Sequence, residues 1–186
     1  DFIANESRRS EALEIIINEL KNISASMNDV IIIAYNTAHL LQPDIEQRLN
    51  IRITSMVDAT IDYVSRHYKT IRLLASPTTI RTGLYDKPLK TAGVTVLTPD
   101  DNERQALETI IRAVIAGRTV PQLALEKVER IAKFDRVEID NYVENHLNNP
   151  PILLGCTELS CAFAKKPNTI DPMNILINHL AARGVL

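Results

Sequence analysis

Short apolar runs that alternate with longer amphipathic stretches are the feature that most restricts the fold of this chain. One run covers residues 29–34 and is rich in β-branched side chains, and others cover residues 70–75, 94–97 and 151–154. A continuous β-branched run such as residues 29–34 is typical of a strand that is buried on both faces. Strands that are separated by helices favour a parallel sheet with helices packed against it. We therefore predict an α/β fold.

The amphipathic stretches between these runs predict helices. They cover residues 6–23, 57–67, 101–116, 121–147 and 171–182, with a further short helix that begins at Pro43. In the first of them, apolar side chains recur on one face, at Leu13, Ile16, Ile17 and Leu20. Asp101 or Asn102 is predicted to cap the helix at residues 101–116, and Asp171 the helix that ends at residue 182. Residues 77–85 are predicted to begin as a loop and then to become helical.

Composition restricts the class of protein further. The chain has 186 residues, 45% of them apolar, which suffices for one sizeable domain or two small lobes. The formal net charge of −2 argues against a nucleic-acid-binding protein, and no apolar run approaches the roughly 20 residues of a membrane span. Cys156 and Cys161 have no histidine at ligand spacing, so neither a disulfide framework nor a zinc site is predicted. The N-terminus does not resemble a signal peptide, and we expect a cytoplasmic location.

Three of the predicted strands end in a short polar turn that contains threonine. These turns cover residues 35–39, 76–79 and 155–158. In a parallel sheet, ligands bind beyond the carboxyl ends of the strands, and backbone N–H groups at helix starts suit a carboxylate. Thr37, Thr78, Thr79 and Thr157 add hydroxyl donors, and Asn36 adds an amide. The pattern predicts a site in which neutral donors bind an acidic small molecule.

Cys156 lies in the third of these turns, directly before a predicted helix. A thiolate is favoured at a helix N-terminus, so this cysteine would be a usable base or nucleophile. The alternative is a tight turn with a buried structural cysteine, because free cysteine is among the most buried residue types. The threonines likewise have an alternative role as helix caps. Spacing alone leaves both interpretations open.

The same turns resemble the two motifs of the aspartate/glutamate racemase superfamily. Residues 34–39, Ala-Tyr-Asn-Thr-Ala-His, are similar to its Cys-Asn-Thr-Ala-His motif, with Tyr35 in place of the cysteine. Residues 153–159 contain its second motif, Leu-Gly-Cys-Thr-Glu, without change. Residues 74–85 resemble the loop that ends in Ser/Thr-Gly-Leu-Tyr, and residues 98–100 and 170–172 are also similar. The resemblance spans nearly the whole chain.

The resemblance implies a cofactor-independent amino-acid racemase. Members have two similar lobes, each a mostly parallel sheet flanked by helices, related by a pseudo-twofold axis. The substrate, here an acidic amino acid such as aspartate or glutamate, lies in the cleft between the lobes, and two chains usually form a homodimer. Neither pyridoxal phosphate nor a metal is used. Two cysteines face each other across the substrate α-carbon, where one removes the α-proton and the other returns a proton to the opposite face.

Site residues follow from the motif positions. The resemblance implies that Cys156 and Tyr35 are the catalytic pair and that His39 stabilises its turn. The implied substrate-binding residues are Asn36, Thr37, Ala38, Thr79, Thr157 and Glu158. Residues 1–55 with 172–186 are expected to form the first lobe and residues 56–171 the second. Cys161, in the helix after Cys156, is predicted to lie in the core.

Two departures from the family pattern leave the reaction open. Tyrosine has an ordinary pKa of about 10, against about 8.5 for cysteine, and it is much longer. Tyr35 could therefore replace the thiol as acid and base, or mark a protein that only binds. It could also leave Cys156 to work alone in a single-cysteine decarboxylase or isomerase, protonating one face as the family's arylmalonate decarboxylases do. The second departure is that Asp1 and Phe2 resemble a segment well inside a typical member. We accordingly expect the first lobe to lack an N-terminal strand and a helix.

Overall fold

The structure is a computed structural model that describes residues 5–22, 30–132, 149–163 and 166–185. The described chain alternates helices and short strands. Its helices are α1 (Glu6–Asn22), α2 (Gln42–Leu49), α3 (Met56–His67), α4 (Pro77–Thr82), α5 (Asp86–Thr91), α6 (Asp101–Ile115), α7 (Gln122–Ala132), α8 (Thr157–Phe163) and α9 (Pro172–Ala182), with a 3-10 helix at Asn36–Leu41 before α2. Its strands are β1 (Ile31–Ile32), β2 (Ile53–Thr54), β3 (Thr70–Ala75), β4 (Thr95–Leu97), β5 (Ile152–Gly155) and β6 (Thr169–Ile170).

The strands form two parallel sheets, which confirms the predicted α/β fold. One sheet pairs β1 with β2, and the other has the order β4-β3-β5-β6. In the larger sheet, Ala75 at the end of β3 pairs with Gly155 at the end of β5. The turns that follow these two strands therefore start side by side, at the edge where ligands bind in a parallel sheet.

Both faces of the larger sheet are buried. Successive residues of its central strands point to opposite sides, and each side packs against helices. Leu74 and Leu154 pack in one cluster with α6, α7 and α8. Leu73 and Leu153 pack in another with α3 and α5. This three-layer arrangement packs β3 and β5 between helices, and the ends of both strands carry candidate site residues.

The first sheet differs from the prediction for residues 29–34. The strand covers only Ile31–Ile32, and Val30 and Ile32 are 40% and 41% exposed, so a strand buried on both faces was the wrong expectation. Helices α1 and α2 cover one face through a cluster that includes Ile31 and Ile45. Within the described ranges, no helix buries the opposite face in the same way. The predicted apolar face of α1 does belong to this cluster.

Two helix starts also differ from the prediction. Asp100, rather than Asp101 or Asn102, caps α6: its Oδ1 accepts the Glu103 N–H at 2.8 Å, and Glu103 Oε2 accepts the Asp100 N–H at 2.7 Å. This reciprocal capping box satisfies two backbone donors at once. Helix α4 begins directly at Pro77 instead of after a loop, because Ser76 caps it and proline suits a first helical position.

The last helix begins as predicted, with Asp171 Oδ1 accepting the Met173 N–H at 3.0 Å. Leu176 and Leu180 of α9 pack against Met56 of α3. The division into a first lobe of residues 1–55 with 172–186 and a second of residues 56–171 stays a prediction. Residues 133–147 of the predicted charged helical region lie outside the described residues. Among the described helices, none is long and apolar enough to cross a membrane.

Candidate active site

The turns after β3 and β5 are joined by Thr79. Its hydroxyl lies 3.0 Å from Ser76 Oγ and donates to the Gly155 carbonyl at 3.4 Å. The side chain is fully buried. Thr79, a predicted substrate-binding residue, is therefore placed as a bridge between two turns, behind the surface that a substrate would contact.

His39 holds the turn that contains Tyr35. The Met56 N–H donates to His39 Nε2 at 3.2 Å, so that nitrogen is an acceptor and the ring proton is assigned to Nδ1. Nδ1 lies 3.0 Å from the Tyr35 carbonyl and 3.2 Å from the Asn36 carbonyl. Burial lowers the pKa of His39, which favours this neutral ring. The contacts give His39 the turn-stabilising role predicted for it.

An open cleft of about 500 Å³ lies between the three turns and α6. It brings together three of the predicted site residues, Tyr35, Cys156 and Glu158. The remaining predicted residues do not line it: Asn36, Thr37, Ala38, Thr79 and Thr157. The other lining residues are Ser76, Pro77, Thr78, Arg81, Glu108, Ile111, Arg112, Ile115 and Arg118. Within the described ranges, no group of three or more His, Cys, Asp or Glu side chains is placed to hold a metal ion.

Cys156 and Glu158 form a hydrogen-bonded pair in this cleft. The buried Cys156 thiol donates to Glu158 Oε2 at 2.8 Å, and the Thr157 hydroxyl donates to the same oxygen at 3.2 Å. Burial raises the pKa of Cys156 well above its ordinary value, and the Glu158 carboxylate raises it further. The N–H groups of Glu158 and Leu159 oppose this shift without cancelling it. Burial and Glu158 therefore outweigh the helix start, and the raised pKa favours the protonated thiol.

Tyr35 faces the cleft with 40% of its surface exposed. Partial burial raises the pKa of its phenol, and the negative charge of Glu158 acts in the same direction. The nearby Thr37 hydroxyl opposes the shift, although it is not in hydrogen-bond geometry with any described atom. At neutral pH, Tyr35 is therefore a proton donor. Thr37 Oγ1, beside it, is a buried hydroxyl without a partner in the described structure.

Three arginines give the cleft a positive side that the sequence analysis missed. Arg112 forms an ion pair with Glu108 at 2.6 Å. For Arg81 and Arg118, the described residues supply no ion-pair partner. The sequence pattern predicted neutral donors alone, because these arginines meet only after α4 and the end of α6 are brought together. The position of Arg81, two residues after Thr79, was the one available indication.

Cys161 is exposed, so its predicted place in the core was wrong. Helix α8 buries Leu159 and Phe163, and Cys161 lies between them on the opposite side of the helix. It is two residues from each, and residues two apart do not share a helix face.

The family follows from a match that covers most of the chain. A family model described as Asp/Glu/hydantoin racemase matches residues 1–180. The chain belongs to this family. Membership is consistent with the two motifs whose turns border the cleft.

Known relatives agree with this assignment. The chain is 29% identical over 104 residues to the broad specificity amino-acid racemase RacX of Bacillus subtilis (strain 168), a match that covers 56% of this chain and 45% of that protein. The match therefore spans less than half of the length of that relative. An aspartate racemase homologue from Pyrococcus horikoshii OT3 superposes with a TM-score of 0.69 at 25% identity, covering 100% of this chain and 79% of that one. Picrophilus torridus aspartate racemase gives a TM-score of 0.58 at 20% identity, covering 92% and 69%, and shows the shared fold.

Proposed function

We propose that this chain racemises an acidic amino acid, aspartate or glutamate, by removing and returning its α-proton without a cofactor. The observation that carries the proposal is that Tyr35 and Cys156 line one cleft. These are the two positions that the resemblance assigns to the catalytic pair. Membership of the racemase family supports the reaction class. The test is a chiral assay for the D-isomer after incubation with L-aspartate or L-glutamate, and failure to form either D-isomer would contradict the proposal.

The proposed proton transfers begin at the Cys156–Glu158 pair. Because the thiol donates to Glu158 Oε2 at 2.8 Å, the carboxylate can accept the thiol proton and leave a thiolate. The thiolate then removes the substrate α-proton, and the electron pair of the C–H bond moves into the substrate carboxylate. Tyr35 donates its phenolic proton to the opposite face of the planar carbanion. A proton from Glu158 or water finally restores the Tyr35 phenol. Before this step the enzyme has a Tyr35 phenolate and a protonated Cys156, and by microscopic reversibility this form acts on the opposite enantiomer.

The cleft also offers groups that suit an acidic substrate. Arg81 and Arg118 are guanidinium groups without an ion pair among the described residues, and arginine binds carboxylates in a bidentate manner. Thr37 Oγ1 is a buried hydroxyl in the turn beside the cleft, without a hydrogen-bond partner in the described structure. We assign the side-chain carboxylate to the arginines and the α-carboxylate to the turn that contains Thr37.

Replacing Arg81 and Arg118 together with alanine is expected to raise KM for aspartate about five- to tenfold, since charged hydrogen bonds at an exposed site contribute modestly. The value of kcat should change much less, because both groups lie away from the transferred proton. Initial rates over a range of aspartate concentrations test this. Arg66→Ala, an exposed arginine of α3 outside the cleft, is the control. An unchanged KM in the double variant would contradict a substrate-binding role for both arginines.

Glu158→Gln tests the proton acceptor independently of turnover. The Glu158 carboxylate raises the pKa of Cys156, so its removal should lower that pKa, although burial keeps it above the ordinary value. A lower pKa means more thiolate at a given pH, and iodoacetamide should alkylate Cys156 about tenfold faster at pH 8. Peptide mass spectrometry separates Cys156 from the exposed Cys161. Glu108→Gln, a second carboxylate of the cleft, should leave the rate unchanged, and equal rates in both variants would refute the pairing.

The protonated state of Cys156 favours a second candidate function. A thiol that holds its proton could donate it to one face of a carbanion formed by loss of carbon dioxide, with no need for Tyr35 as a base. Such a single-thiol decarboxylase would release carbon dioxide from an aryl-substituted malonate and would not invert aspartate. Measuring both reactions on one preparation distinguishes the two functions. A homodimeric assembly and a cytoplasmic location are also part of the proposal.

A further inference from the structure

Tyr85 makes a buried hydrogen bond to the turn that carries Tyr35. It ends the Gly-Leu-Tyr stretch of the sequence, between α4 and α5, and is fully buried. Its phenol donates to Asn36 Oδ1 at 2.5 Å, and Asn36 itself is only 3% exposed. Asn36 directly follows Tyr35, so the position of the Tyr85 hydroxyl bears on the position of the proposed proton donor.

The ring of the same tyrosine packs against the turn that carries Cys156. A Cβ atom added to Gly155 would lie 3.3 Å from Tyr85 Cδ2, and it would also meet Ala75 Cβ at 3.0 Å and Leu73 Cδ1 at 2.9 Å. The ring therefore lies beside Gly155, directly before Cys156, where a side chain has no room. One residue thus touches both turns that supply the proposed catalytic pair.

These two turns follow strands of different sheets. The Tyr35 turn follows β1 in the two-stranded sheet, and the Cys156 turn follows β5 in the four-stranded sheet. No strand pairing joins the two sheets within the described residues. The distance between the two proton-transfer groups therefore depends on side-chain contacts, and the Tyr85 contacts are buried at both ends.

We propose that Tyr85 is a positioning residue that sets the separation of Tyr35 and Cys156 across the cleft. The inference rests on the proposed racemisation, because proton transfer to two faces of one carbon needs both groups within a few tenths of an ångström of their working positions. Because Asn36 Oδ1 accepts the hydrogen bond from the Tyr85 phenol, this contact fixes the orientation of the Asn36 side chain beside Tyr35. Tyr85 itself is too deeply buried to contact substrate.

Tyr85→Phe removes the hydroxyl and keeps the ring against Gly155. We expect kcat to fall about tenfold, which corresponds to about 1.4 kcal/mol in the barrier, with a smaller rise in KM. Hydrogen–deuterium exchange should increase at residues 35–41 and stay unchanged in α6, which packs in the other core cluster. Tyr63→Phe, which removes a hydroxyl from a tyrosine outside the cleft, is the matched control. A kcat within twofold of the unaltered protein would overturn the proposal.

Two further measurements keep the proposal testable if one variant folds poorly or if the protein does not racemise. In a double-mutant cycle, adding Tyr85→Phe to Asn36→Ala should lower kcat by less than twofold, because the contact is already lost; fully additive losses would refute coupling through Asn36. Hydrogen exchange does not depend on turnover. If neither D-isomer forms but exchange rises only at residues 35–41, the positioning contact stands and the racemisation fails. If exchange at these residues is unchanged, the positioning role fails whatever the activity.

Discussion

Cys156→Ala is expected to lower racemisation of aspartate by at least about a thousandfold, within the range that general acid–base groups contribute. The thiol is the group proposed to remove the α-proton. Alanine has no sulfur to accept that proton, and Glu158 Oε2 loses the hydrogen bond that Cys156 donates to it at 2.8 Å. The thiol is a small member of its cluster, so we expect the fold to persist. Chiral chromatography of the products and the thermal unfolding midpoint measure the two effects.

The matched control is Cys161→Ala, the other cysteine of the chain. Cys161 is exposed on α8, five residues from Cys156, and does not line the cleft. This variant should keep the full rate. If Cys156→Ala retained more than about a tenth of the activity in a folded protein, the thiol would not be the α-proton acceptor and the proposed mechanism would be wrong.

Tyr35→Phe is the second substitution with a large expected effect. It removes only the phenolic oxygen, and we expect inversion of aspartate to fall by about a hundredfold or more, because the second face loses its proton donor. Exchange of the α-proton through Cys156 should continue, since that half of the cleft is unchanged. The ratio of deuterium incorporation to inversion, measured in heavy water, should therefore rise.

The pH dependence of the unaltered protein follows from the direction of the Tyr35 shift. Burial raises the pKa of Tyr35, so the phenol stays protonated below the ordinary tyrosine value of about 10. We expect no loss of the Tyr35 donor as the pH rises from 7 to 9. Tyr35→Cys, which restores the thiol of the family motif, should bring any such loss to lower pH.

If Tyr35→Phe racemised at the normal rate, the proton donor would have to be sought elsewhere in the cleft.

Much of the fold was predictable from local patterns. The apolar runs at residues 70–75 and 151–154 form the two central strands because both of their faces are covered, which is the environment such runs require. Because β3 and β5 are parallel neighbours, the polar turns that follow them must lie at the same edge of the sheet. The resemblance to the family motifs predicted that Tyr35, Cys156 and Glu158 belong to one site. Residue spacing alone left the role of Cys156 open.

The wrong predictions have two kinds of physical cause. Some depend on contacts between residues far apart in the sequence, and others on a choice between adjacent residues. The exposure of Val30 and Ile32 depends on which face of a strand a helix covers, and a β-branched run looks the same in either case. Asp100 and Asp101 are adjacent carboxylates, and only the Glu103 partner chooses between them. The raised pKa of Cys156 comes from burial and from Glu158, whereas its position in the sequence indicated only the smaller, opposing effect of the helix start. The approach of Arg81 and Arg118 to the cleft is a tertiary feature without a local pattern.

The most direct test of the account is to incubate the protein with L-aspartate, and separately with L-glutamate, in heavy water. Proton NMR follows loss of the α-hydrogen, chiral chromatography follows the D-isomer, and Cys156→Ala is run beside the unaltered protein. We predict deuterium at the α-carbon together with D-isomer for at least one of the two amino acids, and neither change in Cys156→Ala. A folded protein that leaves both amino acids without deuterium and without D-isomer would contradict the proposed racemisation.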